Sequence, residues 1–272
     1  ISLGMFVSGA QVMEGGRLSG GFLSANSGAL VFGILTLLAL SAGLRFWQET
    51  RWTRCLISTA QAALFAVCLV LTASRMGMAA TVAAGLILML WEFGVRRDLG
   101  GALILSGLAF AIGVSAVLIG GNDLLWRRAD DYADDLLVRT VIFHEHWQAF
   151  LKAPLTGYGL GSFTEVNNMI MTPDNYGSLE PIRAAHNVYI QWLEEAGVIG
   201  AAPMFALIGW ILFRIARNAD GRRPEASILR GVFAASLVVL TLGATDFGLQ
   251  IVSIAGFWAF LLGLAFALAQ TS

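Results

Sequence analysis

The sequence predicts an all-α protein that crosses a lipid bilayer several times. Three observations point there. Apolar residues make up 57% of the 272 and charged residues only 13%, whereas a soluble domain carries about 25% charged residues. The apolar residues arrive in runs of about 20, the number a helix needs to cross the hydrocarbon core. Finally, the arginines gather mostly between those runs.

Seven runs have the required length: 27–47, 55–73, 76–95, 99–120, 197–216, 228–245 and 249–269. Arg45, Arg51 and Arg54 lie between the first and second, Arg96 and Arg97 between the third and fourth, and Arg214, Arg217, Arg222, Arg223 and Arg230 between the fifth and sixth. Cytoplasmic loops are enriched in Lys and Arg, so these three connections are expected inside. Residues 1–26, the 74–75 turn, the 121–196 segment and the turn at Asp246 then share the outer face. The 121–196 segment carries 11 of the 18 acidic residues against five basic ones, as an exported loop should. The expected organisation is four spans in 1–120, an outer-face loop domain in 121–196, and three spans in 197–272. The start at Ile1, with no initiator Met and no basic region before an apolar core, reads as the cut end of a longer protein and not as a signal peptide.

Within the long loop, Gly120-Gly121-Asn122-Asp123 closes the fourth span with turn chemistry. The apolar positions Leu136, Val138, Ile142, Phe143, Trp147, Phe150 and Leu151 then follow helical spacing up to Pro154. This Trp-bearing amphipathic helix is expected along the outer membrane surface. A loop through Pro173, Gly177 and Pro181 leads to His186, and a further helix is expected from Asn187 through Glu195 towards a Gly197–Gly200 turn.

Few residues are placed for chemistry. His186 is one of three histidines, with Arg183 three residues before it, at the mouth of a span. An imidazole beside a fixed cation at a water–lipid boundary suits deprotonation of a hydroxyl next to a phosphate-bearing lipid. Arg75 stands between two apolar runs, where a charge is costly unless paired or wetted; a snorkelling anchor is the alternative. Arg139, early in the surface helix, offers the planar fork that fits a diphosphate, or a partner for Asp134, Asp135 or a headgroup. Arg183 could serve the same anion or be a solvated helix-start arginine.

Other features point away from metal, redox and nucleotide chemistry. His144 and His146 are two apart, so on a helix they face about 200° away from each other and cannot chelate one ion. Cys55 and Cys68 share one span and read as small apolar fillers. Gly157-Tyr158-Gly159-Leu160-Gly161 follows a helix and a proline, not a strand, which fails the context of a dinucleotide cradle. A tight turn able to approach a substrate remains the functional reading of those glycines.

Several segments, in order, resemble the O-antigen ligase and O-antigen polymerase superfamily of bacterial inner-membrane glycosyltransferases. They are Gly16-Arg17-Leu18-Ser19-Gly20-Gly21-Phe22 running to Asn26 and Ala29, and Ser74-Arg75 with Gly77. Then come Arg139 with Trp147, Pro154, Gly157, Gly159, Gly161 and Phe163; His186-Asn187 through Glu195, Gly197 and Gly200; and Asp246. The chain has Ser24-Ala25-Asn26 where many members have Asn-Pro-Asn. The resemblance implies a GT-C-like architecture and transfer of a glycan from an undecaprenyl-diphosphate carrier to a hydroxyl acceptor, either lipid A–core or a growing polysaccharide. It implies work on the periplasmic face, with inversion and with no metal or other cofactor. His186 would be the base, Arg75 and Arg139 would hold the diphosphate, and Arg183 would be auxiliary. Asn187 could orient the imidazole. The competing class is a transporter or lipid-carrier flippase using Arg75 as a substrate-binding charge; the sequence shows no obvious repeat or broken helices in matched halves.

Overall fold

The computed structural model describes residues 17–22, 24–96, 132–221 and 223–270. The expected fourth span (99–120) and the arginines at 97 and 222 lie outside the described residues. Ser24 starts α1 (Ala25–Gln48), its Oγ accepting the Asn26 N–H at 3.2 Å. After α2 (Trp52–Leu71), Ser74 caps α3 (Arg75–Arg96) by accepting the Gly77 N–H at 3.3 Å. The long loop contributes α4 (Tyr132–Lys152), α5 (Phe163–Ile170) and the single turn α6 (Tyr176–Leu179). Asn187 then caps α7 (Val188–Ala219), accepting from the Tyr189 and Ile190 N–H groups at 3.1 and 3.2 Å. Pro224, whose missing N–H costs nothing in a first turn, opens α8 (Pro224–Gly243). A short 3-10 turn (Gly248–Gln250) and α9 (Val252–Gln270) complete the described chain. This is an all-α polytopic membrane protein: α1, α2, α3, α7, α8 and α9 are each long and apolar enough to cross a bilayer.

α1, α3 and α7 end, and α2 and α8 begin, at the end where the arginine-rich turns gather. There Ser227 Oγ reaches Gln48 Oε1 at 3.3 Å and Trp91 Nε1 donates to Asp220 Oδ1 at 2.7 Å, tying the ends of α1 and α3 to the α7–α8 turn. Arg45 donates to Glu49 at 2.8 Å, and that hydrogen bond holds the Glu49 carboxyl below the usual carboxylate range. Arg230 is not a loop residue. It lies wholly buried in α8, where Nε and Nη2 each sit 3.1 Å from a carboxylate oxygen of Glu92 on α3, and Nη1 donates to Ala219 O at 2.5 Å. The fork-to-carboxylate geometry with extra carbonyl acceptors is what allows a charge pair to stay buried. Close helix approach supplies the rest of the packing. A Cβ on Gly77 would lie 2.7 Å from Ala29 Cβ, so α3 can press against α1 only because the residue is glycine.

The break expected before the fifth span is there. A helix capped by Asn187 runs from Val188 to a kink at Gly197, where the backbone takes φ 61°, ψ −178°, and the apolar span continues beyond it. That conformation is essentially glycine's alone. It interrupts the helical hydrogen-bond ladder, and the 154–159 loop fills the gap. Tyr158 N and Gly159 N donate to Glu194 O and Glu195 O at 2.9 Å, while Val198 N and Ile199 N donate to Pro154 O and Leu155 O at 2.8 and 3.1 Å. Gly157 packs on that helix backbone: a Cβ there would lie 2.5 Å from Glu194 O, whereas Gly159 and Gly161 have nothing within 4 Å of an added Cβ. The expected tight turn is there, and it is spliced to the helix.

Candidate active site

At the end opposite the arginine-rich turns, two segments distant in the chain meet. One is the Ala185–Asn187 strip that enters α7. The other is the Ala244–Ile251 turn that joins α8 to α9. Tyr189 holds them in register by donating to Leu240 O at 2.6 Å, and Gly248 packs on α1, where an added Cβ would come 2.8 Å from Leu30.

His186 sits between two anchored neighbours. Ala185 N donates to Gln191 Oε1 at 3.1 Å, and Asn187 is committed to capping α7. The histidine itself is forced to φ 52°, uncommon for a residue with a Cβ and most often found where surrounding structure imposes it. Its ring meets Phe247 edge-on at 5.2 Å, and Nδ1 lies 3.5 Å from Asp246 Oδ1. The imidazole keeps 28% of its surface exposed, whereas the Asp246 side chain keeps 6%. Among the described residues neither His186 Nδ1 nor Asp246 Oδ2 completes a hydrogen bond. A closure of about half an ångström would bring the pair into hydrogen-bond range. With Nδ1 turned to the Asp246 carboxylate, Nε2 is the ring nitrogen on the far side of the imidazole.

Arg139 reaches this turn from α4, where Nη1 donates to Thr245 O, the residue next to Asp246. A guanidinium carries five N–H donors, so holding one carbonyl still suits it to an anion. Arg75 opens α3 at the same end and is half-buried. Beside it, Arg17 is 4% exposed, donating from Nε to Thr72 O at 2.7 Å and from Nη2 to Asn26 Oδ1 at 2.8 Å. That grip fixes the turn from which Arg75 emerges.

The structure thus brings His186 and Arg139 to consecutive residues of one turn and sets Arg75 on a neighbouring helix at the same end. Arg183 is not gathered in: it is exposed and its Nη1 donates to the carbonyls of Glu180 and Ile182 at 3.3 and 3.1 Å, around its own loop. Asn187 caps the helix and does not orient the imidazole; Asp246 is the residue at Nδ1. Sequence reasoning noticed Asp246 but gave it no role, because nothing in the spacing shows which of the outer acidic residues faces the histidine.

The pair His144–His146 also separates as helical geometry requires. His144 is exposed, while His146 is fully buried, with Nδ1 2.5 Å from Glu194 Oε2 and Nε2 3.3 Å from Asn167 Oδ1. Asn167 in turn donates to Leu179 O at 2.9 Å, so this cluster pins α5 and α6 to the root of α7.

A family model described as O-antigen ligase matches residues 60–205, more than half of the chain, a stretch holding Arg75, Arg139, Arg183 and His186. No curated protein matches the chain.

Proposed function

The chain belongs to the O-antigen ligase family, and from that premise we propose that it transfers a glycan from an undecaprenyl-diphosphate carrier to a hydroxyl of lipid A–core. The family gives the coarser statement directly: an O-antigen ligase- or polymerase-type glycosyltransferase of the membrane, acting on lipid-linked glycans. The proposed working face is the one opposite the arginine-rich turns, the periplasmic side of a bacterial inner membrane by the positive-inside rule. One observation carries the finer reading: His186 at the mouth, backed by a nearly buried Asp246, with Arg139 holding the adjoining carbonyl.

The chemistry follows from that placement. The acceptor hydroxyl gives its proton to His186 Nε2 as its oxygen attacks the anomeric carbon. The bond from that carbon to the diphosphate oxygen breaks, and its electron pair leaves with the undecaprenyl diphosphate. Attack opposite the leaving group inverts the anomeric configuration. Asp246 faces the imidazolium that forms. Arg75 and Arg139 are placed to balance the charge that grows on the diphosphate, a role otherwise given to a divalent ion, so the proposed mechanism is metal-independent.

The test is reconstitution of the full-length protein in vesicles with the carrier-linked glycan and lipid A–core. Glycosylated lipid A–core, an inverted linkage and released undecaprenyl diphosphate are the expected products. Elongation of the carrier-linked glycan instead would make the enzyme a polymerase. Movement of the intact carrier across the bilayer with no diphosphate released would overturn the transferase reading in favour of transport. In the same assay, Arg139→Lys keeps the charge but loses the fork, and transfer should drop by roughly 10-fold or more, in line with charge-assisted hydrogen bonds worth about 1.5–3 kcal/mol. An unchanged rate would remove Arg139 from the site.

A further inference from the structure

His186 and Asp246 lie on different segments, so the gap between them is set by whatever joins those segments. One side chain is bonded to both. Gln191, in the first turns of α7 and 8% exposed, accepts the Ala185 N–H at 3.1 Å and the Gln250 Nε2 at 2.5 Å through the same Oε1. Its own Nε2 donates to Glu195 Oε1 at 2.8 Å, and Glu195 Oε2 accepts the Gly161 N–H at 2.9 Å. The amide has one workable orientation. Flipped, it would turn its NH2 towards the Ala185 N–H and its oxygen towards a carboxylate. A single buried amide thus ties the strip carrying His186, the turn carrying Asp246 and the glycine loop spliced onto α7.

We infer that Gln191 is a positioning residue that sets the His186–Asp246 distance, with Glu195 as its support. Substrate need not touch it. Its effect reaches the reaction through the placement of the imidazole, where an error of about 1 Å can cost about 100-fold in rate. The inference rests on His186 being the base in the proposed transfer, and predicts a loss confined to kcat, because the groups assigned to the diphosphate, Arg75 and Arg139, stand on α3 and α4, outside the segments that Gln191 bonds.

The network supplies its own rescue. Gln191→Glu alone sets two carboxylates against each other. Combined with Glu195→Gln, the new carboxylate at 191 accepts from Ala185, Gln250 and the new amide at 195, whose oxygen accepts from Gly161. Every hydrogen bond is restored with the charge moved one turn. The experiment measures kcat and KM for carrier-linked glycan in reconstituted full-length protein for Gln191→Leu, Gln191→Glu, the exchanged pair and His186→Ala. The expected result is a kcat lower by about 100-fold in both single Gln191 variants at unchanged KM, with most of the loss recovered in the exchanged pair. Wild-type kcat in Gln191→Leu would overturn the inference. So would loss in the singles without recovery in the exchanged pair, which would mark Gln191 as structural only; this comparison holds even if Gln191→Leu fails to fold. His186→Ala separates the two failures: transfer persisting there overturns the general-base reading itself, whereas transfer lost there with Gln191→Leu fully active overturns only the positioning role.

Discussion

With His186 replaced by alanine, transfer is expected to fall by about 10²- to 10⁴-fold, the contribution of a positioned general base, while the carrier still binds. Asp246→Asn should lose a comparable share. It keeps the size of the side chain, but removes the negative charge facing the imidazolium and offers an NH2 where Nδ1–H needs an acceptor. The two losses should not add, because both variants disable one proton-transfer unit; the double variant is expected to be no slower than His186→Ala alone. The measurement is single-turnover transfer with saturating carrier, alongside carrier binding. Additive losses would mean that the 3.5 Å approach of His186 to Asp246 has no catalytic meaning. A His186→Ala protein that keeps full activity would make the histidine structural and return attention to Arg75 and to transport.

The competing transport reading is also weighed by the residues themselves. A carrier flippase needs a charge that meets its substrate, which Arg75 could supply, whereas transfer also needs a base for the acceptor hydroxyl, the part proposed for His186 facing Asp246. In the sequence alone that distinction is invisible. Asp246 is then one outer acidic residue among many, and only folding shows that the α8–α9 turn comes back to the entrance of α7. Arg183 illustrates the converse. Its place three residues before His186 allowed either a share in the anion site or a solvated position, and in the structure it is exposed and donates to the carbonyls of Glu180 and Ile182.

The membrane helices were legible because length and apolar content decide them: each described span contains or nearly coincides with a predicted run. Buried polar groups were not legible, since they are resolved only by distant partners. Arg230 looked like one more loop arginine until Glu92 was found opposite it. His146 stood out only as unable to share an ion with His144, and proves to be the pin between α4, α5 and α7. The glycines at 157–161 form the tight turn expected of them, and Gly157 has the α7 backbone as a neighbour that the sequence did not indicate. A sequence shows that backbone can come close to something there, and does not show to what.

That neighbour makes the second large effect a prediction about folding. Gly197→Ala is expected to destabilise the protein by about 2–6 kcal/mol. Holding a residue with a Cβ in this glycine-only region costs about 1–3 kcal/mol, and overpacking adds about 1–3 kcal/mol more. Here the added Cβ would overlap Leu155 O and press on Thr156 N, both backbone atoms that have no rotamer to escape into. If the loop retreats to make room, the Val198 and Ile199 N–H groups lose Pro154 O and Leu155 O. Glu194 O and Glu195 O lose their donors as well, beside the buried His146–Glu194 pair. Gly209, in the same helix with no atom within 4 Å of an added Cβ, is the control: Gly209→Ala should be neutral or slightly stabilising, since alanine favours a helix over glycine by about 1 kcal/mol. Thermal unfolding of the purified variants in one detergent, scored by fluorescence of the tryptophans, measures both. Equal melting of Gly197→Ala and wild type would show that the kink is not what locks the loop to the helix. A lower melting point for Gly197→Ala alone would place the stability of the mouth in that splice, one helical turn beyond Gln191.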